Sequence, residues 1–362
     1  MALTAPAIEI GRRARDEIAA GKLRPAPAGM NSREPNNMNT NTLKPSLNAL
    51  PESVRPILRL LTIRPLRFYF RYFPFSFGKL ALWKRTAAHL WWLESHVKAR
   101  TVFGSDLRVD ANDIVGKYIY YFGKWEPNLT SWISQRLKPG DVFIDVGANV
   151  GYFSSLASKL LGDSGKVVAV EALPETFGRL KENLEMNGAR NVRFANAAAW
   201  HKEEQVKIFT QPENPSGTTT LIQDWAVQWH LQQHVEVTAK PLPAILTPDE
   251  IKQARLIKID VEGAEWNVVS GMASMMPACR HDLEIIMEVS RSMLEAHGKT
   301  GQDLLNVFSG WGFHPYHIVN DYSPAAYITQ NAPPRPKRIE RIFEEPGDQM
   351  DVIFSRIDAA SL

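Results

Sequence analysis

The sequence has little cysteine, little excess charge and no long apolar run in its aromatic-rich part. A single cysteine, Cys279, excludes an internal disulfide framework and fits a reducing compartment. The net charge is +3 with 22% charged residues, so the composition lacks the basic signature of a nucleic-acid-binding protein. The first 22 residues contain no apolar core of a secretory signal. These absences predict a cytoplasmic protein with no nucleic-acid partner.

The N-terminal third differs in kind from the rest of the chain. Its first part is polar and rich in proline and asparagine, which predicts a disordered tail over residues 1–54. Residues 55–95 are dense in aromatics and arginines, but no window there approaches 18 uncharged apolar residues, so no spanning helix is expected. Apolar residues at helical spacing favour an accessory helical cap over residues 55–115, packed on the main domain. The alternative is a membrane-surface element with peripheral contact through residues 55–95.

The remaining chain is organised around residues 141–153. An apolar run that ends in Asp145 predicts a buried strand, Gly147 and Gly151 predict a tight turn, and the following residues have helical spacing. A glycine turn before a helix lets a ligand approach free backbone N–H groups. A side chain at Gly147 is therefore expected to occupy the volume of the ligand while leaving the protein folded.

The spacing of the turn distinguishes between cofactors. A dinucleotide site needs the motif G-x-G-x-x-G, and the middle glycine of that motif is missing here. Asp145 would repel a pyrophosphate but can accept a hydrogen bond from a cationic amino acid. Glu171, at the end of the next predicted strand, can accept two ribose hydroxyls. The two acids favour S-adenosylmethionine (SAM) over a nicotinamide cofactor, and a β-α-β unit without a ligand is the plainer alternative.

Three ordered motifs make residues 105–330 resemble the FkbM family of SAM-dependent methyltransferases. They are the run 145–152, Val170-Glu171-Ala172, and the run 257–265. The resemblance implies an α/β, Rossmann-like class I methyltransferase fold over residues 116–362, with a mostly parallel seven-stranded sheet, helices on both faces and an N-terminal helical and aromatic extension. It also implies an enzyme that methylates a hydroxyl of a glycan or small metabolite. The cofactor-binding residues carried by these motifs are Asp145, Gly147, Asn149, Gly151, Tyr152, Glu171, Ala172 and Asp260.

Other positions receive roles from the same resemblance. Ala197 and Ala198, at the end of the third strand, would leave room for the adenine. Trp125 and Glu126 would lie over the cofactor on the substrate side, although Glu126 could instead start the next helix. The polar loop with Ser216 and Thr218 is a further substrate-side candidate, or a plain surface connection.

Carboxylates follow two more predicted strands. Asp260 and Glu262 come after the fourth strand and Glu288 ends the fifth, and ligands of open α/β sheets lie at this edge. We expect these three to be catalytic, with Asp260 as the first choice of base or orienter. Oxygen ligands could instead hold a divalent cation, but the family resemblance predicts no metal. An amine acceptor, and a SAM-binding membrane adaptor without turnover, are the alternative functions.

Overall fold

The central feature of the fold is a twisted, mostly parallel sheet with helices on both faces. The computed structural model describes residues 59–73, 75–90, 96–210, 219, 226, 231, 233–328, 333–343 and 347–362. The strands of the described residues are β1 His96–Arg100, β2 Asp106–Asp110, β3 Val142–Val146, β4 Lys166–Glu171, β5 Val192–Asn196, β6 Ala198–Trp200, β7 Glu204–Thr210, β8 Gln233–Pro241, β9 Ala254–Ile259, β10 Glu284–Ser290, β11 His314–His317, β12 Lys337–Arg338 and β13 Gln349–Ser355.

The helices alternate with these strands along most of the chain. A π-helical turn, Arg59–Ile63, precedes the first α-helix, and a 3-10 helix, Ala273–Ala278, follows the ninth. The α-helices of the described residues are α1 Arg64–Tyr72, α2 Lys79–Leu90, α3 Ile114–Phe122, α4 Pro127–Arg136, α5 Tyr152–Leu161, α6 Pro174–Met186, α7 Leu242–Ile245, α8 Pro248–Gln253, α9 Glu265–Met272, α10 Arg291–Ala296, α11 Gly301–Gly310 and α12 Pro324–Ile328.

The order of strands in the main sheet places the site. It runs β12-β11-β13-β10-β9-β3-β4-β5. The five strands from β5 to β10 are parallel, whereas β13 is antiparallel to both β10 and β11. The chain order reverses between β3 and β9. In open α/β sheets this switch point opens a crevice at the carboxyl ends of the strands, where ligands bind.

Two hydrophobic cores cover the two faces of the sheet. In β3, successive side chains alternate, so that Phe143 joins one core while Val142, Ile144 and Val146 join the other. A strand buried on both faces needs a nearly continuous apolar sequence, which β3 and β4 have. A small separate sheet, β6-β8-β7, flanks the end of β5.

The helical pair α1 and α2 packs on the main domain. Phe70 and Trp83 are buried in the same core as α3, with ring centroids 5.4 Å apart and Tyr121 and Phe122 as neighbours. Lys79 of α2 ties the two helices to each other, because its Nζ donates to the carbonyl oxygens of Phe70 and Phe73 at 3.0 and 2.6 Å. No helix within the described ranges is both long and apolar enough to cross a bilayer.

The predicted fold class is confirmed, with one more strand than expected. The two-residue strand β12 pairs with β11 and extends the sheet to eight strands. Its sequence is short and basic and carries no strand periodicity, so the pattern could not predict it. The predicted tail, residues 1–54, and the loop with Ser216 and Thr218 lie outside the described residues. The boundary at residue 116 stays a prediction.

Candidate active site

The glycine turn lies between the end of β3 and the start of α5, at the switch point of the sheet. Gly147 and Gly151 have φ of 81° and 87°, and Asn149 between them has φ of 49°. These are left-handed angles, which glycine adopts without cost and asparagine tolerates. The turn is tied to β4, because Gly147 and Ala148 both donate to the carbonyl oxygen of Val170.

The reason for glycine at position 147 differs from the expectation. A Cβ there would lie 1.7 Å from the carbonyl oxygen of Asp260, so it would clash with the loop after β9. The expectation that a side chain would fill only the ligand's volume and leave the protein folded is therefore wrong. Gly147 is required by the close approach of two protein backbones as well as by its positive φ.

Glu171 ends β4 and is fixed by the turn. Its Oε2 accepts a hydrogen bond from the Asn149 N–H at 2.9 Å, and its Oε1 accepts one from the Leu173 N–H at 3.0 Å. Burial raises the pKa of Glu171 to about 6, although these backbone donors favour its charged form. Each oxygen retains an acceptor position, since a carboxylate has about four lone-pair sites. Glu171 can therefore bind ribose hydroxyls without moving.

Asp145 and Lys258 form the buried part of the site. Asp145 Oδ2 accepts from the Ser154 hydroxyl at 2.6 Å, whereas its buried Oδ1 has no hydrogen-bond partner among the residues that the structure describes. Burial raises the pKa of Asp145. Lys258 is buried as well, and its Nζ lies 2.7 Å from Asp260 Oδ2 and 5.0 Å from the centre of the Phe153 ring. Burial alone would lower the Lys258 pKa, but the carboxylates of Asp260, Asp145 and Glu126 raise it.

Carboxylates form a row across three adjacent strands. Ile259 of β9 pairs with Met287 of β10, so the next residues, Asp260 and Glu288, are neighbours at the sheet edge. Glu288 pairs directly with Asp351 of β13. Residues opposite each other on neighbouring strands project on the same face. The structure thus brings Asp260 and Glu288 together as predicted, with Asp351 as the third member of the carboxylate row.

Glu126 joins this row from the opposite side. It is buried, with φ of 41°, and its Oε1 accepts from the Tyr322 hydroxyl at 3.0 Å. The same hydroxyl lies 3.2 Å from Glu288 Oε2, so Tyr322 bridges the two acids. Within the described part of the chain, the buried Glu126 Oε2 has no hydrogen-bond partner. Although Glu126 precedes α4, its side chain makes no capping hydrogen bond, which disfavours the interpretation that it merely starts the helix.

Several of the carboxylates near Lys258 are buried close to one another, and this raises their pKa values. Burial raises the pKa of Glu126 to about 8 and that of Asp351 to about 7, and neighbouring carboxylates add to both shifts. Burial also raises the pKa of the half-buried Glu288 well above its ordinary value, and Asp260 and Asp351 raise it further. Groups with a pKa near neutrality can exchange protons during turnover.

The other predicted residues have varied positions. Glu262 is exposed at the margin of the cleft, with φ of 51°. Tyr152 is buried between Phe103 and Phe153, and its hydroxyl lies 3.3 Å from that of Thr130. The alanines with proposed cofactor roles differ in exposure, because Ala198 is buried within the small sheet as the first residue of β6, whereas Ala172 and Ala197 are half-buried.

Trp125 stands beside the row of acids. Its ring centroid lies 5.4 Å from that of Tyr322 and 6.4 Å from that of Tyr327. Among the residues that the structure describes, no three histidine, cysteine or acidic side chains are arranged to hold a metal ion. Two open cavities, of about 430 and 560 Å³, contain none of the carboxylates of the row.

Three further residues of the site were not among the sequence predictions, and two of them, Lys258 and Asp351, carry a signal in the sequence. Lys258 stands inside the apolar run Leu-Ile-Lys-Ile of β9, and a cation in a strand buried on both faces requires a carboxylate partner. Asp351 directly precedes the apolar run of β13 and could have been found in the same way. Tyr322 follows the last part of β11 in an irregular segment and carries no such signal.

A family model described as "Methyltransferase FkbM domain" matches residues 145–315. The chain is 28% identical over 149 residues to Methyltransferase 1 of Beauveria bassiana. The matched segment covers 37% of this chain and 59% of that relative. It is 46% identical over 55 residues to a protein-L-isoaspartate O-methyltransferase of Aeropyrum pernix, covering 15% of this chain and 21% of the relative. The matches thus span less than two thirds of these relatives.

The solved structures that resemble this chain are distant from it. A methyltransferase FkbM from Methylobacillus flagellatus is 13% identical with a TM-score of 0.36, covering 60% of this chain and 44% of that one. A SAM-dependent O-methyltransferase from Thermotoga maritima is 14% identical with a TM-score of 0.36. The match covers 74% of this chain and 79% of that one.

The site fits S-adenosylmethionine, which combines a cationic amino acid with a ribose. The glycine turn admits the ligand, the buried Asp145 oxygen can accept from the amino acid, and the anchored Glu171 can accept from the ribose. The motif that carries this site begins at the first residue of the family match. Residues 145–315 match the model of the FkbM methyltransferase domain, and SAM is the cofactor that this match and the geometry of the site support.

Proposed function

We propose that the chain transfers a methyl group from SAM to a hydroxyl of a glycan or small-metabolite acceptor. The observation that carries this proposal is the carboxylate row beside the cofactor turn. Asp260 follows β9, directly across the switch point from Gly147, and Glu288 and Asp351 continue outward from it. An acceptor placed over this row would lie between proton acceptors and the cofactor.

SAM supplies an electrophilic methyl group on a sulfonium. When the acceptor oxygen forms its bond to that carbon, the carbon–sulfur bond breaks in line with it, and the hydroxyl proton must leave. Holding the two partners in line can contribute about 7 to 11 kcal/mol in favourable cases. The protein's part is to align the hydroxyl, exclude water and take the proton.

Asp260 and Glu288 divide these tasks in our proposal. Lys258 Nζ donates to Asp260 at 2.7 Å, and a carboxylate held by a buried ammonium is best suited to orient a hydroxyl. Glu288 is half-buried, so an acceptor can reach it, and its raised pKa favours proton uptake. Trp125 and Glu126 would form the acceptor side, because Tyr322 links Glu126 to Glu288.

An amine acceptor is the second candidate. The surplus of carboxylates over the single buried cation Lys258 at the row would attract a protonated amine. The same carboxylates could remove its proton before transfer. The methyl product would then be an amine rather than an ether.

The test is incubation with SAM carrying an isotopically labelled methyl group and a panel of matched hydroxylated and aminated acceptors. We expect label in an ether product, analysed by mass spectrometry, and none with the Asp260→Asn variant. Label only in aminated acceptors would favour the second candidate. A wild-type protein that binds SAM but labels no acceptor of either class would contradict the proposed activity.

A further inference from the structure

An exposed aromatic surface stands outside the site already described. It consists of six side chains on the π-helical turn, α1 and the loop to α2. We call it the aromatic face, and its members are Leu61, Phe68, Tyr72, Phe73, Phe75 and Phe77, which are 67%, 62%, 60%, 43%, 65% and 90% exposed. Contiguous apolar patches of this kind mark interaction sites on proteins.

The exposure of these rings is built into the local structure. Phe68 and Tyr72 are four residues apart on α1, so they lie on one helix face, with ring centroids 5.4 Å apart. The opposite face of α1 is anchored by the buried Phe70. In the loop, Tyr69 Oη donates to the Phe77 carbonyl oxygen at 2.5 Å, which holds Phe77 with its ring outward.

The positive charge of residues 53–93 indicates which kind of partner this surface binds. From residue 53 to residue 93 the sequence has eight arginines and lysines and no aspartate or glutamate. Arg64, Lys84 and Arg85 are exposed in this stretch. Arg64 shares the face of α1 that carries Phe68 and Tyr72, since the three are spaced by four residues. A surface of exposed aromatics and cations without acids is complementary to an anionic lipid bilayer, where rings enter the headgroup boundary and cations meet lipid phosphates.

We propose that the aromatic face and the cations Arg64, Lys84 and Arg85 bind the surface of an anionic membrane. The interaction is peripheral, because no described helix can span the bilayer. The main domain would sit at the lipid surface on its α1–α2 side. Since α2 also packs against α12, the helix that carries Tyr327, the attached face is rigidly connected to the acceptor side of the cleft.

The test is co-sedimentation of the full chain with vesicles of phosphatidylcholine containing about 30% phosphatidylserine. We expect binding that weakens with added salt and is nearly lost on pure phosphatidylcholine. Phe75→Ser combined with Phe77→Ser should weaken binding by about tenfold or more, because two rings no longer enter the boundary. Lys84→Gln with Arg85→Gln should weaken it by about fivefold or more.

Matched control variants distinguish binding through the aromatic face from a general effect of losing exposed charge or exposed apolar side chains. Lys138→Gln with Lys181→Gln removes two exposed cations elsewhere, and Ile357→Ser removes an exposed apolar side chain elsewhere. Both should bind vesicles like the wild type. All variants should keep SAM binding, since none of these residues contacts the cofactor turn.

Three outcomes would overturn the proposal. The first is equal loss of binding in the control variants, and the second is no binding to the anionic vesicles. The third is a wild-type dimer in light scattering that the phenylalanine variant converts to a monomer without lipid, which would assign the face to a second copy of the chain. If the double variant does not fold, Phe77→Ser alone, at the most exposed of these positions, replaces it.

Discussion

Glu171 provides the clearest single-residue prediction for cofactor binding. Glu171→Ala removes the acceptor of two proposed ribose hydroxyls and also frees the Asn149 N–H. Each lost hydrogen bond to a charged acceptor costs about 1.5 to 3 kcal/mol, so SAM affinity should fall by at least tenfold. Isothermal titration calorimetry measures this directly. Glu175→Ala, at an exposed acid of α6, is the control, and an unchanged affinity of the Glu171 variant would rule out the ribose assignment.

Substitutions of Asp260 and Glu288 should change turnover rather than SAM binding. Asp260→Asn keeps the shape but loses the charge held by Lys258, and Glu288→Gln loses the proposed proton acceptor. Turnover should fall by about 100-fold or more in each variant while SAM affinity changes little. Glu295→Gln, at an exposed acid of α10, is the control for both. Full activity of Glu288→Gln would transfer the role of base to another member of the row.

Glu126 should make the stability of the protein depend on pH. Its folded-state pKa is about 8 and its ordinary value is 4.5, so the folded state binds the proton more tightly than the unfolded state. Its contribution to stability is present below about pH 4.5 and is lost as the pH rises through about 8. Glu126→Gln should therefore gain stability relative to the wild type by roughly 1 kcal/mol or more between acidic and mildly alkaline pH. Thermal unfolding at both pH values measures this difference, and parallel curves for the two proteins would contradict it.

The residues of the site were only partly predictable from sequence. Asp260 and Glu288 follow strands, so the rule for open α/β sheets was enough to bring them to one edge. Lys258 and Asp351 required the additional argument that a buried charge needs a partner. Tyr322 could not be predicted, because its distances to Glu126 and Glu288 depend on tertiary packing of an irregular segment.

At the scale of elements, the glycine turn gives a prediction of stability. Gly147→Ala forces a Cβ against the Asp260 carbonyl at a positive φ, so the free energy of unfolding should fall by about 2 kcal/mol or more. Gly178 is a matched control on α6, where no atom lies within 4 Å of a built Cβ. Gly178→Ala should be neutral or stabilise by up to about 1 kcal/mol. Urea denaturation compares the two, and a Gly147 variant as stable as the wild type would refute the clash.

The start of α8 is fastened to the sheet by a buried acid. Glu250 accepts from Arg193 at 2.7 and 2.6 Å and from Lys166 at 2.7 Å, and it forms a capping box with Thr247. Although burial opposes it, these partners lower the pKa of Glu250 to about 2. Its contribution is present above about pH 4.5 and is lost as the pH falls toward about 2.

Glu250→Gln should therefore destabilise the protein by about 3 kcal/mol at neutral pH and by less in acid. Glu182→Gln breaks the exposed pair with Arg108 and should change stability by less than about 1 kcal/mol. Denaturant unfolding at both pH values measures the contrast. Equal effects of the two variants would show that burial does not strengthen the Glu250 contacts.

The elements themselves were largely predicted, because helices and strands with strong periodicity leave a clear pattern. The helix expected after the glycine turn is α5. Helix boundaries are harder to predict, and α11 starts at Gly301, ahead of its first buried residue, Leu304. Its first turn is fixed by a capping box between Thr300 and Asp303, which an apolar pattern does not detect.

At the scale of the whole molecule, the ordered motifs and the family resemblance that they carry predicted the fold class but not the way the N-terminal helices attach. The main sheet follows from ordered strand and helix patterns. The attachment of α1 and α2 depends on an aromatic cluster in which Trp83 contacts Tyr118, Tyr121 and Phe122. Apolar stripes predict that a helix packs, but they do not identify its partner or which aromatics stay exposed.

The position of β13 has a consequence for how the molecule is made. This strand comes last along the chain, yet it lies between β10 and β11 and pairs with both. During synthesis on the ribosome, both neighbours emerge before the strand that joins them, so their facing edges stay open until residues 349–355 appear. Asp351 arrives on the same strand. The last step in closing the sheet therefore also completes the carboxylate row, and a nascent chain gains its fold and its proposed catalytic environment together.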